Sequence, residues 1–118
     1  MSINKNTSYG TIKISDETIA TLAGSAISEC YGIVGMTSKN IIKDTYLEIL
    51  KKDNYAKGIT VTDKGNLDID IYIIVSYGVK ISQVVLEAQK RIKYVIEKNL
   101  EVTVDSVNIY VQGVKNVE

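Results

Sequence analysis

The chain contains no histidine, no proline, no tryptophan and no phenylalanine, and Cys30 is its single cysteine. Histidine is the side chain most used for proton transfer near neutral pH and the commonest ligand of zinc and iron. Without it most catalytic templates lapse, so a non-enzyme with no metal and no cofactor is expected. One cysteine excludes an intramolecular disulfide. No apolar run approaches the roughly 18 residues that a membrane-spanning helix needs. Neither charge is in excess, with 14 Lys plus Arg against 14 Asp plus Glu, so no global field holds nucleic acid or an anionic membrane. Residues 1–9, MSINKNTSY, are polar and offer no signal-peptide core. These absences together predict a cytoplasmic protein. What remains is 118 residues, 45% hydrophobic and 24% charged, enough for one domain with one core.

The most informative stretch is residues 67–77, LDIDIYIIVSY. Leu67, Ile69, Ile71, Ile73, Val75 and Tyr77 fall on one parity; Asp68, Asp70, Tyr72, Ile74 and Ser76 fall on the other. Side chains alternate across a strand, so one face is apolar and the other mixed. Two carboxylates cannot enter a dry core unpaired, which makes the even face the open one. A central antiparallel strand follows, with helices on its odd face.

Around it, residues 9–14 alternate as a short first strand, with residues 1–8 expected as a disordered leader and residues 115–118 as a tail. Ser15 reads as a helix N-cap, followed by Asp16 and Glu17 where the helix dipole favours carboxylates. Ile19, Leu22, Ala23, Ala26, Ile27 and Cys30 make its apolar stripe, on which Cys30 is expected as an inert buried thiol. Gly24 suits close packing, and Gly32 and Gly35 punctuate the end of the helix just before Met36. Ile41 to Leu50 follow a helical rhythm, predicting a short helix that carries Tyr46. Residues 58–62 form a strand, joined to the central one by a turn at Gly65. Gly78 closes the central strand, and Ser82 is a possible N-cap for a second long helix with Val85, Ala88, Ile92, Val95, Ile96 and Leu100 inward. Residues 102–114 form the last strand, with a bulge at Asp105 and Ser106 to reconcile two parities. The predicted class is α+β, in two layers: a four-stranded, mostly antiparallel sheet in the order β-α-(short α)-β-β-α-β, with two long helices on one face. A single domain spans residues 9–114.

The open face then carries Thr11 and Lys13 on the first strand, Thr60 and Thr62 on the second, and Asn108, Tyr110 and Gln112 on the last. Tyr72, Ile74 and Tyr110 are its apolar points. Tyrosine suits half-wet contacts, so these three, together with Tyr46, are the candidates for binding a protein partner or a second copy. The alternative is a solvated face with cross-strand aromatic pairs. The element order and sheet aromatics also admit a small RNA-binding module, against which Asp68 and Asp70 would repel the phosphates. The same two carboxylates have no third ligand in reach for a cation. The basic outer side of the second helix reads as a solvated face, or as a contact for acidic partners or lipid headgroups.

Residues 10–15 (GTIKIS), Leu22 to Gly24, residues 31–36 (YGIVGM), residues 70–78 (DIYIIVSYG) and residues 107–114 (VNIYVQGV) occur in order at fixed distances. In this combination the chain resembles the alkaline shock protein family, the general or envelope stress response proteins of Gram-positive bacteria, in its short single-domain form. The resemblance implies a cytoplasmic non-enzyme linked to envelope stress and cell-wall integrity, without catalytic residues. It further implies homo-oligomers, or a membrane-anchor protein as partner, that place the chain near the membrane without inserting it. Ser15, Gly24, Gly32, Gly35, Met36 and Gly78 match the family's motifs as structural residues.

Overall fold

The computed structural model describes residues 2–37, 49–50, 58–63 and 65–116. Strands β1 (Ser2–Thr7) and β2 (Gly10–Ser15) are followed by helix α1 (Asp16–Ser28), then β3 (Ile33–Thr37), β4 (Ile49–Leu50), β5 (Ile59–Asp63) and β6 (Leu67–Ser76). Helix α2 (Ile81–Leu100) and strand β7 (Ser106–Lys115) complete the chain. The class is α+β, with a mostly antiparallel strand system and, among the described residues, two helices.

Strand β6 is the hub. One of its edges pairs with β7, in parallel, from Asp68 opposite Ser106 to Ser76 opposite Lys115. The other edge is shared end to end: β5 pairs antiparallel with the first half, Asp63 opposite Leu67, and β3 antiparallel with the second, Ile33 opposite Val75. The odd face is dry, since Ile69, Ile71, Ile73 and Val75 are fully buried among Ile19 and Ile27 of α1 and Ile92 and Ile96 of α2. Each such side chain contributes about 1.5–3 kcal/mol by leaving water. The two helices therefore cover that face, as the alternation requires.

Local chemistry explains the ends of the elements. Ser15 Oγ accepts the Thr18 amide at 3.2 Å and caps α1, with Ile14 and Ile19 buried on either side of the cap. Gly65 takes φ +88° in the β5–β6 turn, and Gly78 takes +93° after β6. Helix α2 starts earlier than expected, capped at Lys80, so Ser82 lies inside its first turn; the Lys80 carbonyl receives both the Gln83 and Val84 amides. Its far end is fastened by Glu97 Oε2, which accepts the Val104 amide at 2.9 Å.

Several expectations need correction. Residues 2–7 are not a leader but strand β1, because their backbone finds a full partner in β2 despite their polarity. This hairpin stands apart from the β6 sheet, which removes Thr11 and Lys13 from the open face. Gly35 does not punctuate a helix end. It lies within β3, beside a register shift, where the missing side chain accommodates a bulge. Ile49 and Leu50 are extended, paired with Thr37 and Met36, and do not continue a helix. Tyr46 lies outside the described residues. Finally, residues 102–105 precede the last strand, and the shift of register falls later, opposite Ile73 and Ile74.

Candidate functional site

The open face of the sheet is built by register. Asp68 lies opposite Ser106, Asp70 opposite Asn108 and Tyr72 opposite Tyr110. Ser106 donates from Oγ to Asp68 Oδ1 at 2.6 Å, and Asn108 donates from Nδ2 to Asp70 Oδ1 at 2.9 Å. On the other side of β6, Thr62 and Thr60 stand in register with the same two aspartates. Each carboxylate thus accepts from a neutral donor in a cross-strand rung. Among the described residues no group of three or more His, Cys, Asp or Glu could hold a metal ion.

One rung further, the Tyr72 and Tyr110 rings stack with centroids 4.9 Å apart and planes 17° from parallel. Parallel β-strands in register put the two rings side by side, and an offset stack contributes about 0.5–1.5 kcal/mol beyond burial. Tyr72 is half-buried by its neighbour, while Tyr110 remains 45% exposed. Ile74 belongs to the same face but is only 3% exposed. At that exposure it offers almost no surface for docking, and Thr37 of β3 is buried as well. The rest of the expected triad is brought together: two stacked tyrosines beside two carboxylates.

Strand β7 adds a feature that alternation alone could not disclose. Among the described residues its outer edge has no partner. The start of the strand is held under α2, where Gln89 Nε2 donates to the Val107 carbonyl at 2.9 Å. Its second half runs beyond that cover and leaves Val111 and Val114 exposed, along with Tyr110. The sequence signal was the second change of parity, between Val111 and Val114.

A groove of about 760 Å³ lies on the helical side, between the end of α1 (Glu29, Cys30, Tyr31) and one stripe of α2 running from Lys80 to Tyr94. Buried Val84 and half-buried Cys30 form its deep part. Cys30 donates its thiol to the Ala26 carbonyl, and burial pushes its pKa up, so the thiol is neutral as well as recessed. Arg91 pairs with Glu29 across the groove. Tyr31, 86% exposed, and Tyr94, 59% exposed, stand at its rims.

Fold and face together define a small two-layer α+β domain that presents a polar and aromatic sheet surface and a strand edge with no partner among the described residues. The chain belongs to the alkaline shock protein 23 family, described by cell envelope-related function, whose model matches residues 4–116. It is 54% identical over 116 residues to the uncharacterized protein YloU of Bacillus subtilis, covering 98% of this chain and 97% of the relative. It is 47% identical over 119 residues to the uncharacterized protein Spy1614 of Streptococcus pyogenes, covering 99% and 98%. A more distant relative, YqhY of Bacillus subtilis, is 29% identical over 114 residues, covering 95% and 82%. No solved structure matches. No helix among the described residues is long and apolar enough to cross a membrane.

Proposed function

We propose that the chain is a non-catalytic interaction protein of the cell envelope stress response that works by self-association. Two copies pair their β7 strands edge to edge. The observation that carries this is the second half of β7, which combines an edge unpaired among the described residues with exposed Tyr110, Val111 and Val114 on its two faces. A long apolar edge is a template for another strand, and pairing it with its own copy about a two-fold axis satisfies both edges at once. The stacked Tyr72–Tyr110 pair extends the contact onto the open face. Work at the envelope then runs through a protein partner near the membrane, with the chain itself staying in the cytoplasm.

Light scattering coupled to gel filtration tests this directly. The wild type should behave as a dimer or larger species. Replacing Val111 and Val114 together by Lys should give a monomer with an unchanged circular dichroism spectrum. A wild type that stays monomeric at high concentration overturns the reading.

A further inference from the structure

We propose that the groove between the end of α1 and helix α2 is a docking site for an acidic amphipathic helix of a partner protein. It lies on the helical side, away from the β7 edge, and does not depend on the self-association proposed above.

The argument begins with a helical stripe. Lys80, Val84, Glu87, Arg91 and Tyr94 succeed one another at three- and four-residue steps and face one groove. At 1.5 Å per residue the stripe is about 20 Å long, which is the length of a four-turn helix laid beside it. Only Val84 on this stripe also belongs to the core; the others are outside it. A second row of α2 residues (Val84, Ala88, Ile92, Ile96) already packs inward, so the stripe adjoins the core row at Val84 and otherwise faces away from it.

The lining is that of a hot spot. Tyr31 and Tyr94 flank recessed apolar atoms of Val79, Val84 and Cys30, and tyrosines around a dry pocket are what concentrates binding energy in protein contacts. Tyr94 is already held: Lys98 donates to its hydroxyl at 3.0 Å and also stands 5.3 Å from the ring centroid. A ring fixed before binding loses little entropy on contact. Gly32 brings the α1 end close enough to shape the groove. A Cβ there would sit 2.7 Å from Val84 Cγ2, and its φ is +87°.

Charge selects the occupant. Arg91 and Glu29 neutralise each other. Lys80 and Lys90 make no ion pair among the described residues and are set against Glu87 alone, with Lys93 close by on the same helix. The two lysines are about 15 Å apart along α2, so they match acids about ten residues apart on a facing helix. A bilayer surface fits worse: a concave site lined by both signs of charge does not suit a flat, uniformly anionic layer. A helix can offer carboxylates to Lys80 and Lys90 and an apolar row to Tyr31, Val84 and Tyr94. This is the helix-in-groove mode of recognition.

The test uses a synthetic amphipathic peptide of about twenty residues, bearing an apolar stripe and glutamates about ten residues apart, and a twin in which those glutamates are lysines. Titration of the full chain at low salt should show binding of the first peptide and at least about tenfold weaker binding of the second. Tyr31→Ala and Tyr94→Ala should each weaken binding by about tenfold. Lys80→Glu with Lys90→Glu should invert the preference between the twins. All of these residues are exposed, so circular dichroism should be unchanged. Saturating peptide should also slow the alkylation of Cys30, the chain's one thiol, measured by mass spectrometry at mildly alkaline pH. Equal binding of both peptides, or undiminished alkylation of Cys30 under saturation, overturns the proposal. So does binding to phosphatidylglycerol vesicles without binding to the peptide, or a change of oligomeric state in Tyr94→Ala.

Discussion

Asp105 and Leu67 hold each other by two hydrogen bonds. The Asp105 amide donates to the Leu67 carbonyl at 2.9 Å, and Asp105 Oδ2 accepts the Leu67 amide at 2.7 Å. Both polar groups of a buried residue at the first position of β6 are thereby satisfied from one side chain and its backbone. The clamp also sets where β7 begins its parallel run beside β6.

Asp105→Ala removes the acceptor and leaves the Leu67 amide buried without a partner. The expected loss is about 1–3 kcal/mol in chemical denaturation. Asp105→Asn keeps a carbonyl oxygen in place and should recover most of it. Hydrogen exchange should locate the loosening at the Leu67 amide.

Gly32→Ala places a Cβ against Val84 in a backbone conformation that L residues rarely take. The conformational penalty and the overpacking together should cost about 2–4 kcal/mol. At about 4 °C per kcal/mol for a domain of this size, Tm should fall by roughly 8–16 °C. Gly65→Ala meets no neighbouring atom and should cost only the conformational part, about 1–2 kcal/mol. If the two variants melt together, the Val84 contact is without consequence.

Lys5 reaches from β1 to Glu101, pairing with its carboxylate at 2.9 Å and donating to its carbonyl at 3.0 Å. The hydrogen bond from Lys5, and then its charge, hold the Glu101 carboxyl below the usual carboxylate value. A depressed folded pKa stabilises the fold above the unfolded pKa and is lost as pH falls through the folded one. Acidification should therefore release the β1–β2 hairpin while the β6 sheet persists. The pair is exposed, so the effect is small and should fade in high salt. Proteolysis within residues 2–15, followed against pH, should show it in the wild type and lose its pH dependence in Glu101→Gln.

The alternation of residues 67–77 discloses the central strand and its dry and wet sides, because periodicity reports burial directly, although Tyr77 lies beyond the strand and is exposed. Ser15 and Gly65 were legible because a cap and a tight turn each depend on one residue's chemistry. Strand β1 was not, since SINKNT carries no apolar face and its structure comes from backbone pairing with a neighbour. Parallel pairing of β7 was hidden for a similar reason: parity says which way a side chain points, not which strand lies alongside. Ile74 shows the limit of the same rule, for it points to the wet side and is nonetheless buried. The basic outer side of α2 reads as a solvated face, or as a contact for acidic partners or lipid headgroups, because its charges are plain in the sequence and the approach of Tyr31 to the helix is not.

The central place of β6 governs how this protein must come off the ribosome. Everything made before residue 67 includes α1 and the strands that will join the sheet, yet none of it has the surface on which it will lie. The apolar stripe of α1 has to wait, uncovered, until β6 and then α2 emerge, and the parallel partner arrives last of all. Synthesis halted within the first half should leave a chaperone client, not a smaller domain.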